Sequence, residues 1–238
     1  MPTLVLARHG RTNANASGVL AGRTPGVRLD ELGETQVAAA GGRLAEVKVA
    51  AIVTSPMERC RQTAAAIAKA LPNAPKVRTD RDFAEVDYGS WTGRPLKELV
   101  KEPQWRTVQA HPSAARFPDG ESLAQMSARV VAGVRRWNAR VETEHGKDAV
   151  WVLASHGDPI KAILADALGM HLDAFQRVVV DPGSLSLVRY TDLRPFVLAT
   201  NTTAGALTHL NPPARRRRSR TRDTDAPVGG GAGAGTGR

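Results

Sequence analysis

Two stretches of this chain end in the same way. Pro2-Thr3-Leu4-Val5-Leu6-Ala7 runs into Arg8-His9-Gly10, and Ala149-Val150-Trp151-Val152-Leu153-Ala154 runs into Ser155-His156-Gly157. Near neutral pH an imidazole can serve as nucleophile, proton carrier or ligand, and a guanidinium beside it offers fixed, forked donors to an anion. A lone His-Gly is as readily an ordinary loop histidine. The pairing carries the functional reading, because short apolar runs read as buried parallel strands, and ligands of open α/β sheets collect at the carboxyl ends of such strands. Two histidines are therefore expected side by side at one sheet edge.

Two further residues have the right type and place. Arg59 follows the run Val49–Thr54 and the sequence Ser55-Pro56, which predicts a helix start with Ser55 as cap and Pro56 in the first position. Arg59 then sits in the first turn, where backbone N–H groups and the helix dipole favour an anion; a surface salt bridge with Glu58 or Asp82 is the plainer alternative. Glu85 lies in Phe83-Ala84-Glu85-Val86-Asp87-Tyr88-Gly89-Ser90-Trp91. A carboxylate held against such apolar neighbours is desolvated, which raises its pKa and makes it a usable proton donor. Unpartnered, it is a plain surface carboxylate.

The elements that must position these groups alternate between strands and helices. Strands are expected at 3–7, 49–54, 77–79 and 149–154, and a hairpin over Ser184–Tyr190 and Phe196–Asn201 with one strand antiparallel. Asp30 caps a helix with Leu32, Val37, Ala40, Leu44 and Val47 on one face. A second helix runs from Ser55 to about Leu71. A third runs from Ser122 to about His145 on Leu123, Met126, Val130, Val134, Trp137 and Val141, and a fourth starts at Asp158-Pro159 with Ile160, Ile163, Leu164 and Leu168 inward. The long loop Arg8–Arg28 and the excursion 94–120, around Trp105, are where function and substrate cover are expected. Trp91, Trp105 and His111 either shape a pocket or pack the cover.

Composition narrows the field. The 238 residues suffice for one full core. Residues 211–238 have no Leu, Ile or aromatic side chain, so a folded domain over 1–210 and a disordered tail over 211–238 are expected. Seven arginines against two aspartates in that tail supply half of the formal charge of +10, leaving a moderately basic domain that suits an anionic substrate. The run Arg215–Arg218 could touch nucleic acid, although a solvated tail is the commoner meaning. One cysteine, Cys60, excludes an intrachain disulfide and a cysteine-rich zinc site and favours a cytoplasmic location. Neither a signal peptide nor a membrane-spanning run is expected. Oligomeric state cannot be read from these features.

Two imidazoles, two guanidiniums and one proton donor together suit phosphoryl transfer through a phosphohistidine. The ordered series also resembles the histidine phosphatase superfamily, or phosphoglycerate mutase-like family. Arg8-His9-Gly10 with Asn15 resembles its opening motif, and Leu29-Asp30-Glu31-Leu32-Gly33, Ser55-Pro56 with Arg59, Gln62 and Thr63, and Glu85 with Tyr88-Gly89 resemble later landmarks. Ser155-His156-Gly157 matches the second histidine, and the resemblance covers about residues 3–200.

That resemblance implies a three-layer α/β/α sandwich with a mostly parallel mixed sheet. It implies that His9 takes the phosphoryl group, that Arg8, Arg59 and His156 hold its oxygens, and that Glu85 protonates the leaving group and later activates water. Asn15 and Gly157 would line the substrate pocket, with no metal or organic cofactor, and the partner would be a phosphorylated small molecule. Phe117-Pro118-Asp119-Gly120-Glu121-Ser122, a short excursion with scattered basic residues, and Asp158 after His156-Gly157 resemble the phosphatase branch more than the mutases. Two other readings are a metallohydrolase using His9, His156, Glu85 and Asp158, and an inactive phosphate-binding module with a polyanion-binding tail.

Overall fold

The structure is a computed structural model and describes residues 2–211. The strands are β1 (Thr3–Arg8), β2 (Val49–Thr54), β3 (Val77–Thr79), β4 (Val150–Ser155), β5 (Leu185–Tyr190) and β6 (Pro195–Thr202), and they form one sheet in the order β3-β2-β4-β1-β5-β6. The first four in that order run parallel, β5 runs antiparallel to β1, and β6 returns antiparallel to β5. The sheet is mixed and mostly parallel, with β5 the reversed strand.

Side-chain alternation along the strands divides the core in two. Leu4, Leu6, Val53, Trp151 and Leu153 face one side, and Val5, Ala7, Ile52, Val150, Val152 and Ala154 face the other. The α-helices in chain order are α1 (Asn13–Ala16), α2 (Glu31–Leu44), α3 (Glu58–Ala70), α4 (Leu96–Leu99), α5 (Trp105–Ala110), α6 (Leu123–His145) and α7 (Gly157–Ala167). The apolar stripes of α6 and α7 cover the first face, and those of α2 and α3 cover the second. Both sheet faces are therefore buried, as parallel strands require.

Three local expectations need correction. Leu32 is 44% exposed, because the inward position at the start of α2 belongs to Gly33, followed by Val37, Ala40 and Leu44. Gly33 lies so close to the Arg11 carbonyl that any Cβ would collide with it. Leu168 is 50% exposed, because it is the residue on which α7 stops. The second helix starts two residues later than expected, at Glu58 with Met57 as cap, and the Ser55 hydroxyl is used elsewhere.

The Arg8–Arg28 loop contains α1, whose start is a capping box between Thr12 and Asn15. Trp91 stacks on Trp105 with ring centroids 6.2 Å apart, and Phe117 meets Trp91 edge-on. Both tryptophans thus pack the excursion, and His111 is exposed. Asn211 is fixed by bonds to the Lys48 N–H and the Glu46 carbonyl, at 2.8 and 2.7 Å. The rest of the expected tail, 212–238, lies outside the described residues.

Candidate active site

β1 and β4 are hydrogen-bonded neighbours in parallel, with Arg8 opposite Ser155. The residue after each strand is a histidine, so His9 and His156 leave the sheet at the same level, with ring centroids 5.3 Å apart. The His9 N–H donates to the Ser155 carbonyl at 3.0 Å and ties the two turns together. Both imidazoles are buried.

The hydrogen bonds settle the tautomers. His9 Nδ1 lies 2.7 Å from the Gly10 carbonyl, which can only accept, so Nδ1 carries the proton and Nε2 keeps its lone pair. Arg59 Nε donates to that lone pair at 3.2 Å. Arg59 Nη2 donates to His156 Nδ1 at 3.1 Å, which leaves the His156 proton on Nε2, donated to Ser55 Oγ at 2.7 Å. Burial first, then the nearby Arg59 charge, sets both imidazolium pKa values well below the ordinary histidine range. Both rings are neutral at neutral pH.

Arg8 Nη1 donates to the Val180 carbonyl at 2.6 Å and Arg59 Nη2 to the Gly22 carbonyl at 2.8 Å. Arg8 Nε and Arg59 Nη1 are buried and without a partner among the described residues. Buried unpaired donors are costly, and here two of them belong to guanidiniums lining the same cavity, of about 350 Å³. The plainer reading of Arg59 does not hold: Glu58 pairs with Arg28 and Asp82 with Arg136.

Glu85 lines that cavity and is 8% exposed. Its Oε1 accepts from the Val86 N–H at 2.9 Å, and Oε2 lies 3.9 Å from His156 Nδ1. Burial, followed by repulsion from Asp158, raises its pKa to about 7 against the opposing pull of Arg59 and Arg8. Asp158 accepts from the Tyr88 hydroxyl at 2.8 Å. The Glu85 carboxyl can therefore keep its proton much closer to neutrality than an ordinary glutamate.

The main chain around Glu85 is held by groups that sequence reasoning did not assign. Arg23 Nε and Arg129 Nη2 donate to the Glu85 carbonyl at 2.8 and 3.1 Å, while Arg129 Nη1 donates to the Asp82 and Ala84 carbonyls. Glu121 accepts from both arginines and from the Asp87 N–H. The one signal available was Glu121 within the Pro-Asp-Gly-Glu-Ser stretch. Nothing in spacing connects Arg23 or Arg129 to it.

Arg8, His9, Asn15, Arg59, Glu85 and Gly157 all line the cavity. His156 does not reach the lining; it is fully buried and meets the cavity through Arg59 and Glu85. Asn15 Oδ1 is occupied by Thr12. Among the described residues, no group of three or more His, Cys, Asp or Glu side chains is placed to hold a metal ion.

Residues 4–203 match the family model of the histidine phosphatase superfamily, branch 1. This chain belongs to that superfamily. Its relatives include a bifunctional protein of Mycobacterium tuberculosis, 34% identical over 204 residues that make up 84% of this chain and 54% of the relative. The chain thus spans about half the length of the first curated relatives it matches. A probable phosphoglycerate mutase of Yersinia enterocolitica is 32% identical, covering 90% of this chain and 97% of the other. Phosphoserine phosphatase 1 of Hydrogenobacter thermophilus is 30% identical, covering 85% and 93%.

Among solved structures, a mycobacterial glucosyl-3-phosphoglycerate phosphatase superposes with a TM-score of 0.74 at 25% identity, over 84% of this chain and 98% of the other. The phosphoglycerate mutase-like fold of this histidine phosphatase superfamily member agrees with the sheet described above.

Proposed function

We propose that this histidine phosphatase superfamily member hydrolyses phosphomonoesters through a phosphohistidine on His9. The observation that carries the reading is the lone pair on His9 Nε2. It is fixed by the Nδ1 bond to Gly10 and lies beside two guanidiniums that each keep an unpaired donor. A phosphoryl group that takes up those donors would also draw Arg59 Nε off the lone pair it holds at 3.2 Å, freeing Nε2 to attack phosphorus.

In the first step the His9 Nε2–P bond forms and the ester P–O bond breaks, with the Glu85 proton passing to the leaving oxygen. The ring keeps its Nδ1 proton and becomes cationic, and the Gly10 carbonyl stabilises that charge. In the second step Glu85, now a carboxylate, takes a proton from water as its oxygen attacks phosphorus. The N–P bond breaks, phosphate leaves and Glu85 is protonated again. Arg8 and Arg59 hold the phosphoryl oxygens, His156 supports Arg59 from behind, and Asn15 and Gly157 complete the wall.

Relatives bear both phosphatase and mutase names. Hydrolysis is the reading favoured by the cover: of the excursion 94–120, only Leu96 lines the cavity, so that segment does not seal the phosphoryl group from water. The reaction needs no metal in this scheme. No described helix is long and apolar enough to cross a membrane. A phosphorylated small molecule is the proposed substrate, and the single cysteine, Cys60, supports a cytoplasmic location.

The test is a panel of phosphomonoesters, run with and without EDTA, on wild type and His9→Ala, beside an assay of phosphoglycerate interconversion. The expected result is EDTA-resistant hydrolysis and an acid-labile phosphoprotein, both lost in His9→Ala. Mutase turnover exceeding hydrolysis overturns the assignment.

A further inference from the structure

Besides the residues at the phosphoryl site, the same cavity is lined by apolar side chains, among them Leu20, Leu96, Val178 and Val179. Leu96 is 39% exposed and Val179 60%, so two of the larger exposed apolar side chains of the described chain line this one cavity. Apolar surface left in water at the rim of a site is surface that a ligand can cover.

The charges in the cavity point the same way. Its cationic side chains are Arg8, Arg59 and Lys161. The two arginines stand at His9, whereas Lys161 is already engaged, with Nζ 3.0 Å from Gln176 Oε1 and 3.8 Å from Asp158 Oδ1. When Glu85 is protonated and both histidines are neutral, three positive charges stand against the single negative charge of Asp158. The remaining charge of two matches a phosphoryl dianion and leaves none for a second anion.

From this lining and charge balance we infer the substrate class, an inference that rests on the hydrolase reading above: the leaving group is uncharged and presents apolar surface to Leu20, Leu96, Val178 and Val179. A carboxylate on the leaving group would add a negative charge to a cavity that already holds Asp158 and whose third cation, Lys161, is engaged by Asp158 and Gln176. Phosphorylated sugar acids are therefore poor substrates, and phosphomonoesters of uncharged apolar alcohols are good ones.

The experiment compares phenyl phosphate with 4-carboxyphenyl phosphate, a pair that differs by one charge, on the full-length protein. The expected kcat/KM is about tenfold higher for the neutral ester, the scale of one uncompensated like-charge contact. Val179→Lys should narrow that ratio by adding a cation to the cavity lining, and Val179→Asp should widen it. Equal or better turnover of the carboxylated ester by wild type overturns the substrate class while leaving the hydrolase reading intact. Failure of both esters and of the wider panel, with no His9-dependent phosphoprotein, removes the hydrolase reading and this inference with it.

Discussion

Glu121 and Arg129 meet through a forked pair of bonds, Arg129 Nε to Oε2 at 3.0 Å and Nη2 to Oε1 at 2.5 Å. The same guanidinium donates to the carbonyls of Asp82, Ala84 and Glu85. A carboxylate that never enters the cavity thus fixes the main chain carrying the proposed acid. Burial alone would raise the Glu121 pKa, but the bonds from Arg129 and the Asp87 N–H hold it below the usual glutamate value, so the clamp is charged at neutral pH.

Glu121→Gln should lower kcat/KM by about tenfold, because a proton donor displaced by a fraction of an ångström loses its alignment. The pH profile separates positioning from general damage: the alkaline limb should move in Glu121→Gln, and Glu121→Asp should restore part of the rate. An unchanged limb with an unchanged rate contradicts the clamp's role.

The pH dependence follows from Glu85. Its raised pKa of about 7 means that the acid form needed for leaving-group departure is present below that value and lost above it. The expected kcat/KM is therefore flat or rising toward acid and falls as pH passes about 7. His9 imposes no limb in this range, because its pKa lies well below 6.5. Asp158→Asn keeps an acceptor for Tyr88 but removes the charge that raises the Glu85 pKa, so the limb should shift to lower pH. A shift to higher pH would show that Asp158 acts otherwise.

Ser55→Ala leaves the buried Nε2–H of His156 without its acceptor. The expected cost is about 1–3 kcal/mol of stability, together with a reduced kcat because His156 is no longer held against Arg59. Thermal unfolding and turnover measured on one preparation check both parts.

Two glycines near the site should behave in opposite ways. A Cβ at Gly33 collides with the Arg11 carbonyl, and Gly33→Ala should cost about 2 kcal/mol or more because backbone cannot be repacked as a side chain can. A Cβ at Gly157 meets only the end of Arg8, at 3.8 Å. Gly157→Ala should unfold within about 0.5 kcal/mol of wild type. Similar melting temperatures for both variants would refute the contrast.

The parts of the fold visible in the sequence were those with a short repeat. Alternation in β1 and β4, the stripe of α6 and the histidine ending both apolar runs are local, and they led to His9 and His156 as neighbours. The Gly33 substitution for Leu32 on the inner face escaped because it depends on how closely the Arg11 backbone passes. Ser55 read as a helix cap because its true partner lies 101 residues away. Arg23 and the valines at 178–180 come from segments with no periodicity, and Arg129 stands off the apolar stripe that made α6 legible, so only three-dimensional proximity connects them to Glu85 or the cavity.

The spacing of the two imidazoles has a consequence for variation in this fold. Parallel strands lie about 4.8 Å apart whatever their side chains, and the 5.3 Å between the rings follows that main-chain interval. The sheet acts as a ruler that the cavity walls do not touch. Leu20, Leu96, Val178 and Val179 come from loops and a short helix, away from β1 and β4, so their replacement can change what the cavity admits without altering the spacing of the two imidazoles.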